Sequence, residues 1–464
     1  TESIKISSLV LSEVGYGLPK RNLKLSVIKN LLKTKKVLAG RSNEELLSLP
    51  STKVESKVMI TKILDGLMTS TYLAKPDLWP IVICKGFRWI LENGLDRHSP
   101  ALIACYGVLL CAIGDIIGGN KMSQFAMKLV ERPEYVDVKS RVMFVHHTFV
   151  AHWICPISVS MRPLMDAYHL GMKTGDVEHA FLNVIVYFIC ALLVGRNLSL
   201  LEEEMRLYIG DMTRYQQDLC YLNGIIGWQF TLNMIGKSKD PTILVGEAMD
   251  YDKLMKQLEE TGNYQVMDLT IFTQLTLTYF FGEYGKALEC VASLRNFEKT
   301  HVSHVAVWRK LMFEALTLFA VARQRKHRRN LRRRGSKITK RMRHWISLGN
   351  LNCVHAVHLL EAEEAALKGR QETALRKYEE AITASGRAGV ITDKAIASER
   401  MGEFLFSMQN FEDASFHLKE AVMQYTRWGA TAKAKHLQEN YSNLFQKYPT
   451  PSAGGLFSQD EDIL

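Results

Sequence analysis

Two segments, EAEEAALKGRQETALRKYEEAI (Glu361–Ile382) and MGEFLFSMQNFEDASFHLKEAV (Met401–Val422), follow one pattern at a fixed offset. Ala374, Tyr378 and Ala381 in the first become Ala414, Leu418 and Ala421 in the second, each 40 positions later. Further upstream, Ala362 and Ala365 become Gly402 and Leu405. Spacings of i, i+4 and i+7 trace a single stripe along an α-helix. Small residues at matched places let two helices approach closely, and bulkier neighbours fill the grooves between them.

The pattern is that of a helix–turn–helix repeat of tetratricopeptide type, longer than the usual period of about 34 residues. Its turn has the form Gly-x-x-x-x-Ala, seen at Gly369–Ala374, Gly282–Ala287 and Gly175–Ala180. Glycine ends the first helix in a left-handed conformation, and the alanine is the contact point of the second. Ala180, Ala287, Ala374, Tyr378, Ala381, Ala414, Leu418 and Ala421 are therefore expected to pack helix on helix. The fold class that follows is all-α: a right-handed superhelical solenoid of antiparallel helix pairs, TPR-like.

Composition supports this class. In 464 residues with 47% hydrophobic content there are only 11 prolines, and alternating β-branched runs are few. The eight cysteines show no C-x-x-C spacing and sit in apolar stretches expected to be helical. They read as small core residues in a reducing, cytoplasmic compartment. The first residue is Thr, which suggests a piece of something longer. Two apolar runs, Ala101–Gly114 and Phe181–Gly195, fall short of the roughly 20 residues a bilayer demands and read as buried helices.

Along the chain, expected segments are lead-in helices at 1–50, irregular helical repeats at 51–300 and a long helix with a basic tract at 301–350. Two TPR-like repeats with a capping helix follow at 351–446, then a flexible tail at 447–464. A helix is expected over Met143–Trp153, Gly118-Gly119-Asn120 is expected to break one, and Asn197 to cap the helix after it. The histidines of MFVHHTFVAHW, and the pairs His301/His304 and His355/His358, lack ligand partners at metal-binding spacing. No metal and no cofactor is expected.

Nothing in the sequence carries catalysis. There is no G-x-x-x-x-G-K-[ST] phosphate loop, no kinase H-R-D or D-F-G, no G-x-S-x-G elbow and no H-E-x-x-H. The expectation is a non-enzyme.

Charge is concentrated in one place. Ala315 to Leu360 contains no Asp or Glu, and Arg323–Arg343 alone holds 12 of the 59 basic residues. Without them the balance is 47 basic against 48 acidic, so the net charge of +11 becomes −1. Arg325, Lys326, Arg328, Arg329, Arg332, Arg333, Arg334, Lys337, Lys340, Arg341 and Arg343 are the candidate anion- or partner-binding residues. They are expected to be solvated. An acidic protein surface is the favoured partner, nucleic acid or another polyanion the alternative, with nuclear location as its corollary. Aromatics are absent from the tract before Trp345, which argues against base stacking.

His152–Tyr208 and Tyr378–Leu437, together with GEAMDYD (Gly246–Asp252) and YTRWGATAK (Tyr425–Lys433), resemble the helical-repeat region of very large multidomain signalling proteins. In that family a Ser/Thr-kinase-like domain and an AAA/STAND-type ATPase precede the region, and GAF domains with a histidine kinase, or a nucleotide cyclase, follow it. The resemblance covers most of residues 15–445. It departs at WISLGNLNCVH (Trp345–His355), where the family has an apolar segment with tryptophan, alanine and Cys-Pro. It implies a relay and docking role between an ATPase switch and an output domain, with protein partners or neighbouring domains of the same polypeptide.

Overall fold

The computed structural model describes residues 2–19, 21–41, 43–324 and 329–449. Among them there is no β-strand, only isolated bridges between Ser51 and Leu95 and between Val245 and Asp250. Helices follow one another through short turns and pack side by side. Ser99–Ala112 lies on Ile116–Leu129, Met161–Thr174 on Val177–Val194, and Leu198–Arg214 on Asp218–Met234. The chain is an all-α solenoid.

The two repeats keep their register in space. Val354–Leu367 packs on Gln371–Ala388, and Ile391–Ser407 on Phe411–Trp428. The second helices begin at Gln371 and Phe411 and end at Ala388 and Trp428, again 40 apart at both ends. Ala374, Tyr378, Ala381, Ala414, Leu418 and Ala421 are all at most 1% exposed, and Ala180 and Ala287 are at 0%. A Cβ on Gly402 would stand 2.6 Å from Leu418 Cγ and 3.0 Å from its backbone nitrogen, so the two helices touch backbone to side-chain root there. Gly369 turns the first unit at φ +71°, and its counterpart in the second is Gln409 at φ +63°. A side chain in that region costs roughly 1–2 kcal/mol, which the packing of the second repeat has to offset.

Several local expectations change. Gly118 and Gly119 lie inside the Ile116–Leu129 helix, and the break falls earlier, at Gly114 with φ +91°. Gly119 is there for contact: a Cβ would sit 2.4 Å from Cys111 Sγ and 2.7 Å from the Gly107 carbonyl oxygen. The expected helix over Met143–Trp153 instead runs from Lys139 to Phe149, and a short 3-10 turn holds Ala151–Trp153. Cys155 sits in a bend just before Pro156, which disfavours the α conformation of its predecessor, and Cys353 closes a 3-10 turn. Asn197 does cap its helix, its Oδ1 accepting from the N–H groups of Ser199 and Leu200 at 3.1 and 3.3 Å. The closing helix is two pieces, Thr431–Asn440 and Ser442–Lys447.

The array curls far enough to touch itself. Thr392 Oγ1 donates to the Leu193 carbonyl at 3.1 Å, and Thr431 Oγ1 to that of Ile235 at 2.8 Å. Val305 N–H reaches the Thr148 carbonyl at 3.0 Å, and Asn352 Nδ2 donates to the carbonyls of His152 and Cys155 at 2.8 Å each. By length and composition Val177–Val194 is the one helix among the described residues able to cross a membrane. In this fold it is an inner wall, with Ala180, Phe181, Val184 and Ala191 fully buried.

Candidate partner-binding surface

The basic tract forms a helix of its own, Arg329–Ser347, packed against Ala306–Gln324 and Val354–Leu367. Its buried residues are Gly335, Ile338, Thr339, Met342 and Trp345, the i, i+3, i+4, i+7 stripe of a helix with one face in the core. Gly335 marks the closest crossing: a Cβ there would meet the Phe319 ring at 2.5 Å. Trp345 packs edge-on against Trp153 with ring centroids 5.1 Å apart, and the Arg341 guanidinium lies 4.8 Å above the Trp345 ring.

The cations divide into two sets. Arg334 pairs with Glu314 at 2.6 Å, Arg341 with Glu298 at 2.5 Å, and Arg343 with Glu361. Arg323, at the end of the preceding helix, reaches Glu363 at 2.5 Å. These four tie the tract to the rest of the solenoid, while their side chains stay 37–56% exposed. Arg332 is half-buried, and its charge helps hold the Glu364 carboxyl below its ordinary value. Arg329, Arg333, Lys337 and Lys340 are exposed and form no ion pair among the described residues. Their spacing, i, i+4, i+8 and i+11, places them in one row on the outer face, about 16 Å long at 1.5 Å per residue. Arg325, Lys326 and Arg328 lie outside the described residues.

The paired set was partly legible in the sequence. The acid-free window is bounded by Glu314 and Glu361, and both bounding carboxylates are partners of the tract. Glu298 and Glu363 carry no such signal, since their approach depends on how the solenoid curls.

Next to this surface lies an ionic interior. Glu363, with its side chain at 0% exposure, accepts from Arg323, from Arg400 Nε at 3.0 Å and from Tyr378 OH at 2.6 Å. Burial alone would raise its pKa, but Arg323 and Arg400 outweigh burial and hold it at about 2. Lys433, 2% exposed, pairs with Glu399 at 2.6 Å, and Arg309 pairs with Asp393.

The histidines go elsewhere. His146 meets Ser123 Oγ at 2.8 Å, His147 meets Ser160 Oγ at 2.9 Å, and His152 Nε2 meets the Ser303 carbonyl at 2.9 Å. Burial lowers their pKa values to about 4, 3 and 4, so the rings are neutral. Among the described residues no three His, Cys, Asp or Glu side chains gather to hold a metal ion. Burial also pushes the thiols of Cys84 and Cys290 up to about 11 and those of Cys105, Cys111, Cys190 and Cys220 to about 12, away from the reactive thiolate.

Fold and surface together define a helical-repeat segment with a cationic outer face. No family model matches the chain. The peroxide stress-activated histidine kinase mak3 of Schizosaccharomyces pombe (strain 972 / ATCC 24843) is 28% identical over 101 residues, 21% of this chain and 4% of that protein. The matched stretch is thus a small fraction of the curated relative. Among solved structures, a circular tandem repeat protein with novel repeat topology and enhanced subunit contact surfaces aligns over 91% of this chain and 95% of its own. Its TM-score is 0.21 at 14% identity, and this likeness carries no structural inference.

Proposed function

We propose that this chain is a non-catalytic interaction and relay module of a signalling protein, docking an acidic partner surface on the Arg329–Ser347 helix. One observation carries the reading. Within a single helix, the arginines that reach carboxylates of the solenoid are paired, while Arg329, Arg333, Lys337 and Lys340 stand in a row without carboxylate partners among the described residues. Like charges aligned on one face repel, so the row is stabilised when an anionic surface covers it. The partner is a neighbouring domain of the same polypeptide or a separate protein. The resemblance to signalling proteins with an ATPase switch and a histidine-kinase or cyclase output supports the relay part, as does the partial match to a histidine kinase.

Zero-length carbodiimide cross-linking of the intact natural polypeptide tests this, since it joins lysines to carboxylates in direct contact. Lys337 and Lys340 are expected to link to carboxylates outside residues 1–464. Links confined to this chain would overturn the docking role. Tight association with duplex DNA, with log K falling steeply against log salt and no protein cross-links, would replace it by the polyanion reading.

A further inference from the structure

The inner face of the solenoid encloses a chamber that the interaction role does not use. Its free volume is about 160 Å³, comparable with an apolar cavity of about 150 Å³ that admits benzene. One wall is the Val177–Val194 helix, which presents Leu182, Ile185, Val186 and Ile189. Phe144 and Phe149 also line the chamber, ring centroids 5.8 Å apart. Leu73, which is 45% exposed, and the half-buried Asn223 and Gln265 complete this lining.

Two imidazoles also line the chamber, His301 at 3% and His304 at 9% exposure, with ring centroids 5.5 Å apart. Their hydrogen bonds define their tautomers. The Ala306 N–H donates to His304 Nδ1 at 3.1 Å, so in the neutral ring the proton is on Nε2. Thr300 Oγ1 gives its hydrogen to the Asp268 carboxylate at 2.5 Å and therefore accepts from His301 Nδ1, 3.0 Å away. That leaves His301 Nε2 as a bare acceptor. Neither Nε2 atom has a hydrogen-bond partner among the described residues. Burial keeps both rings uncharged.

We infer that the chamber is a binding site for a small neutral hydrophobe bearing one hydroxyl or primary amide. Such a head both accepts, from His304 Nε2–H, and donates, to His301 Nε2, while a single ring or short chain fills the apolar volume. An anionic head would bring two acceptors to a donor and an acceptor, and of the charged groups that also line the chamber Glu178 would repel it while Arg141 is already paired with Asp65 at 2.9 Å. Toluene would fill the same space and leave both nitrogens unmet. This site is independent of the cationic helix.

The test uses the full chain at pH 7.5 with three probes of one size: benzyl alcohol, toluene and benzoate. Benzyl alcohol is expected to raise the melting temperature saturably and to bind at least tenfold more tightly than toluene, with benzoate not binding. In Val186→Phe, which fills the chamber, benzyl alcohol binding should be lost while the protein melts at or above the parent temperature. Should that variant fail to fold, Val145→Ile takes its place, with affinity expected to fall severalfold. No saturable shift with benzyl alcohol in the parent chain, equal binding of benzoate, or undiminished binding by a folded filled variant would each overturn the assignment.

Discussion

The middle of this solenoid and its C-terminal repeats bury polar groups in opposite ways. Around His146, His147, His152, His301 and His304 the interior holds bases kept neutral by burial, bonded to serine and threonine hydroxyls and backbone groups. Around Glu363, Arg400, Glu399 and Lys433 it holds full charges matched to one another. A neutral interior needs no partner of opposite sign but fails when protons arrive. An ionic interior tolerates protons down to the pKa of its carboxylates but fails when one partner is removed.

The largest expected effect is acid sensitivity of the middle. Each of the five histidines has a folded pKa below its unfolded value near 6.5, so the unfolded state binds more protons. Their contribution is fully present above pH 6.5 and is lost progressively as pH falls below it, at up to about 1.4 kcal/mol per pH unit for each group. Glu363, lowered to about 2, keeps its contribution above its ordinary pKa of 4.5 and loses it only between there and about 2. Region-resolved hydrogen exchange at pH 5 should therefore show Lys139–Phe149 opening before Val354–Leu367. The reverse order would break the comparison.

Removing a charge probes the other side. Glu363→Gln leaves Arg400, whose side chain is 7% exposed, with only Glu403 and Tyr284, and deprives Arg323 of its carboxylate. The expected loss is about 3–5 kcal/mol by denaturant titration. A loss under 1 kcal/mol would mean that the network is better hydrated than its burial implies.

Gly335→Ala comes next, because its Cβ would enter the Phe319 ring. Overpacking of this kind costs about 1–3 kcal/mol, read as a lower thermal midpoint; an unchanged midpoint would show that the basic helix is not tightly seated. Smallest is the triple change Arg333→Gln, Lys337→Gln, Lys340→Gln, expected to move stability by no more than about 0.5 kcal/mol. Arg334→Gln should exceed it, since Glu314 is 6% exposed and keeps only Lys310 as a partner. If the triple variant is the more destabilised, the division into paired and unpaired cations is wrong.

What could be read from the sequence was whatever repeats or is local. The offset of 40 predicted the register of Gln371–Ala388 against Phe411–Trp428, and Asn197 announced its own cap. Gly118 and Gly119 misled because glycine serves both to end helices and to let them touch, and spacing does not say which. Glu363 gave no sign in sequence: it is one glutamate among several in EAEEAALK, and its role depends on Arg323 and Arg400, each about 40 residues away in opposite directions. The chamber was equally hidden, because His301 and the Val177–Val194 helix become neighbours only when the array curls.

That curl also sets an order in time. The end of the Val177–Val194 helix is covered by Thr392, which bonds Leu193 across a separation of 199 residues. At about 5–20 residues per second a ribosome takes roughly 10–40 s to make that intervening chain. Throughout the interval an apolar helix, long enough to be taken for a membrane segment, waits with its last turn uncovered. Newly made chains stalled before Ile391 should therefore depend on chaperones more than the finished protein does.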